Sequence, residues 1–142
     1  MSLPDSPQWS GVIKVYFYDT DAGGVVHNIA YLRMIEWART ELAEFCQWPV
    51  SEMSLESGAC PVVVRTEIDY LQPARLGDRL LIEAEITDLM KVRFNISFLM
   101  TRESDGVKLC RVKQVMATLD LQSGKPVRLR QDWREQWPEI VR

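Results

Sequence analysis

The spacing of apolar residues changes period along the chain, and each change predicts an element. Val12 to Tyr18 (VIKVYFY) is rich in β-branched and aromatic residues and reads as a strand. A polar, glycine-containing loop follows. From Tyr31 onward apolar residues recur at Leu32, Ile35, Ala38, Leu42 and Phe45, the spacing of a helix with one buried face. Arg33, Glu36, Arg39, Glu41 and Glu44 fall largely off that stripe. Trp48-Pro49 predicts the helix end, because the residue before a proline avoids the α region.

The period then drops to two. Between Pro61 and Leu71, Val62, Val64, Ile68 and Tyr70 read as one side of a strand, with Arg65, Glu67 and Asp69 on the other. After a turn at Pro73–Asp78, Leu80, Ile82, Ala84 and Ile86 alternate against Glu83 and Glu85. Val92, Phe94, Ile96, Phe98 and Met100 repeat the pattern, and Ser104-Asp105-Gly106 signals a hairpin turn. A last strand runs from about Val107 to Leu121; its alternation loses phase near Lys113-Gln114, which predicts a bulge there. Trp133 and Trp137, four apart, predict a short packed helix.

One long helix followed by that much antiparallel strand is an α+β plan, with the helix across one face of a sheet of about five strands. Leu81 and Leu99 place apolar side chains on the second face, which one helix cannot cover, so subunit association is expected. There is no repeat, linker or low-complexity segment. A single domain over 1–142 is expected, with a core of about 11–121 and a tail of 122–142.

Composition narrows the function. A chain of 142 residues, 46% hydrophobic, can bury a sizeable core without a disulfide or metal staple. No apolar run approaches the length of a membrane span. The first residues, MSLPDSPQWS, lack the basic and apolar regions of a signal peptide, so cytosol is the expected compartment. A net charge of −3 argues against a dedicated nucleic-acid binder. Cys46, Cys60 and Cys110 are odd in number and widely spaced, and His27 is the only histidine, so neither a disulfide framework nor a zinc site is expected.

The chemistry concentrates in "YDTDAGGVVHNIAY", Tyr18 to Tyr31. Asp19-x-Asp21-x-x-Gly24 imitates a calcium loop, but the fifth position is Gly23 and the twelfth is Ala30, where a glutamate is required. There is no phosphate-binding GxGxxG and no GxSxG elbow. A bland reading competes: Asp and Asn favour turns, the glycines supply unusual backbone angles, and Asn28 caps the helix. Acyl transfer is the chemistry that uses the arrangement. A carboxylate attacks or activates water, a glycine admits the ligand, and the helix start offers N–H groups to an oxyanion. A thioester suits such a site because its thiolate leaves without a strong acid.

At this point the residues carry a resemblance. "YDTDAGGVVHNIAYLRMIEWARTE", Tyr18–Glu41, resembles the signature of the hotdog-fold acyl-CoA thioesterases of the 4-hydroxybenzoyl-CoA type, in particular the branch associated with the Tol–Pal system. "VVVRTEIDYLQPARLGDRLLIE", Val62–Glu83, continues the likeness. The resemblance implies that Asp21 is the catalytic carboxylate, that the Asn28 backbone N–H polarises the thioester carbonyl, and that Gly24 is the glycine before the two valines. It sets Tyr31, Glu36, His27, Cys60 and Pro61 against the acyl group. It sets Lys91, Arg93, Arg128 and Arg130 against the phosphates of CoA. Asp19 is read as structural. The implied substrate is an acyl-CoA, with no separate cofactor and no metal, in a homodimer or dimer of dimers. The branch usually carries histidine where this chain has Asn28; here the order is His27-Asn28, so no direct role transfers to the histidine. A non-catalytic acyl- or CoA-binding module and a hotdog dehydratase, which needs a histidine paired with an acid, are the competing functions.

Overall fold

The computed structural model describes residues 2–49 and 58–142. Its elements are β1 (Gln8–Lys14), α1 (Asn28–Phe45), β2 (Ala59–Tyr70), β3 (Arg79–Leu89), β4 (Arg93–Arg102), β5 (Lys108–Asp120) and α2 (Gln131–Gln136). The strands form one antiparallel sheet in the order β1-β3-β4-β5-β2. The helix α1 lies on one face, giving the expected α+β hotdog arrangement. Among the described residues no helix is long and apolar enough to cross a membrane.

Alternation decides the inner face. Leu80, Ile82, Ala84 and Ile86 of β3 and Phe94, Ile96, Phe98 and Met100 of β4 are all buried, against Ala30, Tyr31, Met34, Ile35, Ala38 and Leu42 of α1. The tail closes one end of this core. Leu129, Trp133 and Trp137 are buried, and Trp133 meets Trp48, Phe94 and Trp137 at ring separations of 5.5, 5.6 and 5.7 Å.

Five local expectations change. The first strand is Gln8–Lys14, and Phe17–Asp19 is a 3-10 turn. Tyr16, Phe17 and Tyr18 look like strand by residue type, but Asp19 Oδ2 accepts the Tyr16 N–H at 2.9 Å and closes the turn. Second, α1 is capped by His27, not Asn28, and its buried stripe is rotated: Leu32 and Phe45 are exposed, while Tyr31 and Met34 face inward. Third, α1 stops at Phe45, ahead of Pro49. Gln47 turns into the left-handed region (φ 62°), and the Trp48 N–H donates to Ala43 O at 2.8 Å.

Fourth, the bulge lies in β2 and not at Lys113-Gln114. Val63 opposes Met116 and Arg65 opposes Val115, so Val64 is the extra residue. Beyond it the phase is inverted: Val62 faces Ala117, whereas Ile68 and Tyr70 face the inward Val112 and Cys110. Fifth, the alternation of β5 does not break at Gln114. Gln114 is a polar residue in an inward position, only 3% exposed, with pairing continuous on both sides. The described strands instead shift register opposite Leu109 and in β3 between Ile86 and Asp88.

Candidate active site

The turn before α1 sorts its two aspartates. Asp19 is 1% exposed. Its carboxylate pairs with Arg33, one turn into α1, and its carbonyl accepts the His27 N–H at 3.0 Å. Asp19 therefore ties the turn to the helix. Asp21 is exposed. Its Oδ1 accepts the Gly23 N–H at 2.9 Å, the local Asx turn that aspartate forms readily. Among the described residues no group donates to its Oδ2. A β-carbon on Gly23 would crowd Asp21 Oδ1 at 3.3 Å. Gly24 has φ +76° with open space around it, so backbone conformation, not room, requires glycine there. Its carbonyl accepts the Leu76 N–H at 3.0 Å, docking the loop on the β2–β3 connection.

His27 fixes the helix start. Its Nδ1 accepts the Ala30 N–H at 3.2 Å, which requires a neutral ring carrying its proton on Nε2. Among the described residues no group accepts from the N–H of Asn28 or Ile29. These are the free donors of a helix N-terminus, on its positive end. Tyr70 Oη donates to Asn28 O at 3.3 Å. Tyr31, 3% exposed, accepts the Ala74 N–H at 3.1 Å, and burial raises its hydroxyl pKa against the lowering effect of that bond. Asn28, Tyr31 and Tyr70 wall a shallow recess of about 260 Å³ beside the free donors.

Glu36 and Pro61 stand elsewhere, on a second cavity of about 200 Å³ under the latter half of α1. Its walls are Leu42, Ala43, Trp48, Ile86, Phe94, Ile96, Met116 and Trp133, with Arg39 and Thr40 beside Glu36. Cys60, partly buried, precedes Pro61 on β2. The sequence offers Arg39 only as a charge off the helical stripe and Gln114 only as part of a bulge, neither as a site residue. The signal for them was the polar residue interrupting an apolar row, read there as a bulge.

The cations lie at the far end of the sheet. Lys91, Arg93 and Arg128 are exposed, and Lys91 O accepts the Leu129 N–H at 2.8 Å. Arg130 is engaged: it forks onto Asp132 at 3.0 and 2.7 Å, donates to Gln47 O at 2.6 Å and stacks on Trp133. Arg93 pairs with Ala117 and Pro61 with Thr118, whereas Asn28 sits by Tyr70. Along β2, Pro61 and Tyr70 are about 30 Å apart at 3.3 Å per residue. Within one protomer the cations and Asp21 are not brought together.

An exposed carboxylate seven residues ahead of free helix-start donors, on a hotdog sheet, is an arrangement that acyl transfer can use. The chain matches the thioesterase-like superfamily over residues 15–137 and belongs to that family. It is 33% identical over 115 residues to "Acyl-CoA thioesterase YbgC" of Haemophilus influenzae, covering 81% of this chain and 83% of that protein. It is 30% identical over 128 residues to a 1,4-dihydroxy-2-naphthoyl-CoA hydrolase of Synechocystis sp., covering 85% and 88%. The crystal structure of Slr0204, a 1,4-dihydroxy-2-naphthoyl-CoA thioesterase from Synechocystis, shares the fold at a TM-score of 0.84 and 24% identity, covering 94% of this chain and 97% of that one.

Proposed function

We propose that this chain hydrolyses acyl-CoA thioesters, with Asp21 as the reacting carboxylate and the Asn28 N–H as an oxyanion donor. The observation that carries the reading is the contrast within one turn: Asp19 is consumed by Arg33, while Asp21, seven residues ahead of an unsatisfied helix start, keeps an oxygen free of hydrogen bonds. In the favoured route the free Asp21 oxygen attacks the thioester carbonyl carbon. The Asn28 N–H holds the oxyanion, the C–S bond breaks, and the CoA thiolate leaves and takes up a proton. Water then attacks the Asp21 carbonyl carbon of the mixed anhydride, releasing the acid and restoring the carboxylate. In the other route Asp21 takes a proton from the water that attacks the thioester. The dehydratase reading loses support because the His27 Nδ1 is occupied by its cap.

The motif at Tyr18–Glu41 supports a place in the Tol–Pal-associated branch. The functional unit in this reading is a dimer built on β2, an edge strand of 12 residues with Val63 and Val64 exposed. Antiparallel pairing of two such edges sets one protomer's Pro61 end beside its partner's Tyr70 end. Lys91, Arg93 and Arg128 then approach the Asp21 loop of the other copy, where CoA phosphates need them. Thiol release from a panel of acyl-CoAs, with light scattering on the same sample, tests the reading. Turnover by a dimer or larger assembly is expected; no turnover of any acyl-CoA, or an active monomer, contradicts the corresponding half.

A further inference from the structure

The cavity under α1 is apolar except at one wall, and that wall is built. Arg39 reaches across from the helix, and its Nη1 donates to Gln114 Oε1 at 2.9 Å. Gln114 is itself fixed, its Nε2 donating to Thr66 Oγ1 at 3.2 Å. A buried glutamine between the inward Val112 and Met116 of β5 holds the guanidinium against the cavity, and burial lowers the Arg39 pKa despite the nearby Glu36. Glu36, 70% exposed, stands at the mouth with its Oε1 3.6 Å from Arg39 Nη2. That separation is too long for a good hydrogen bond, so both groups keep capacity for a third.

A hydroxyl is the group that fits such a pair, because it accepts from the guanidinium and donates to the carboxylate at once. A second carboxylate would meet Glu36, and a plain methyl end would leave both polar groups unanswered. Position sets the length of the ligand. From Asn28 to Glu36 is eight residues of helix, about 12 Å. Extended chain advances about 3.5 Å per three bonds, so that distance takes roughly ten bonds. Ile29 and Leu32 are exposed at 66% and 43%, and with Glu36 they form one helical stripe from the free donors to the cavity mouth.

We propose that the cavity is the site for the far end of the acyl group, and that the Arg39–Glu36 pair selects a medium-length chain bearing a terminal hydroxyl. The proposal rests on the thioesterase reading for its position relative to the carbonyl, and the test separates the two. The substrates are decanoyl-CoA, 10-hydroxydecanoyl-CoA and the monothioester of CoA with decanedioic acid. For the wild-type chain the kcat/KM for the hydroxylated substrate should exceed both others by about tenfold or more, the worth of one hydrogen bond to a charged group. Arg39→Met should bring the hydroxyl-to-methyl ratio to about one, and Glu36→Gln should narrow the gap between hydroxyl and carboxylate. A wild-type ratio at or below one overturns the proposal whether or not the variants fold, as does a folded Arg39→Met that keeps the preference. If none of the three is hydrolysed while another acyl-CoA of the panel is, this proposal is overturned and the thioesterase reading stands; if no acyl-CoA at all is hydrolysed, the thioesterase reading fails and the cavity is judged by binding alone. Trp48 and Trp133 line it, so their fluorescence reports occupancy. Tighter binding of 10-hydroxydecanoate than of decanoate supports the proposal; equal binding of the two, or none, overturns it.

Discussion

The two ends of α1 are built on opposite terms. At its start, the loop from Asp19 to Asn28 is held by backbone hydrogen bonds, one ion pair and a histidine cap, and it leaves a carboxylate and two N–H groups toward solvent. At its end, Cys46, Trp48, Trp133 and Trp137 are buried together, and the Trp133 indole donates to Cys46 O at 2.9 Å. The difference separates chemistry from stability. The groups that can react stabilise little, and the groups that hold the fold are buried rings. Substitutions at the two ends should therefore move different observables.

The largest stability loss is expected at the tryptophan end. Trp133→Ala removes a fully buried ring and its hydrogen bond, and should cost about 4 kcal/mol in urea unfolding. A loss under about 1 kcal/mol would mean that the tail is not part of the core. Next is Asp19→Asn, which uncouples Arg33 from a buried site. Because Arg33 is 47% exposed, the cost is put at about 2 kcal/mol, below that of a fully buried pair. Turnover per folded molecule should fall far less than it does for a change at Asp21. His27→Ala should cost about 1 kcal/mol, the usual worth of an N-cap, and His27→Asn, a better capping side chain, should recover most of it. A turnover loss in His27→Ala as large as that at Asp21 would show that the ring acts in the reaction and not through the cap.

The smallest effect concerns acid. Burial would raise the pKa of Asp88, but hydrogen bonds from Asn95 and Thr87 and the Arg142 guanidinium outweigh it and hold the carboxyl below its ordinary value. A depressed folded pKa gives stability that is full above the unfolded value of about 3.9 and is lost as pH falls through the folded one. Arg142 anchors the tail, so acid should loosen the tryptophan end first. Asp88→Asn should flatten the dependence of urea stability on pH below about 4. An unchanged slope would remove Asp88 from that account.

What could be read in advance follows from the range of the interaction concerned. The strands β3 and β4 were legible because each of their inward residues is apolar and local alternation is enough to find the face. The aromatic run Tyr16–Tyr18 misled because residue type favours a strand, while the deciding contact is a side-chain carboxylate at Asp19 closing a turn. The cap was assigned one residue late, since asparagine is the stronger capper by preference and only geometry shows the imidazole in that place. Gln114 looked like a fault in β5 because the partner that explains it, Arg39, is 75 residues away in the chain. The motif placed Asp21, Gly24 and Asn28 close together through sequence adjacency. Nothing local could say that Lys91, Arg93 and Arg128 lie toward the opposite end of the sheet, since that follows from strand order and register.

The central claim is that the exposed carboxylate at the helix start does the chemistry while contributing little to the fold. Asp21→Asn, assayed by thiol release beside a urea unfolding curve, tests it most directly. The amide preserves the acceptor for the Gly23 N–H, so the unfolding midpoint should stay within experimental error of the parent. Turnover should fall by roughly 10²–10⁴, the worth of a positioned catalytic carboxylate. A folded Asp21→Asn chain that hydrolyses acyl-CoA at a near-normal rate would contradict the account.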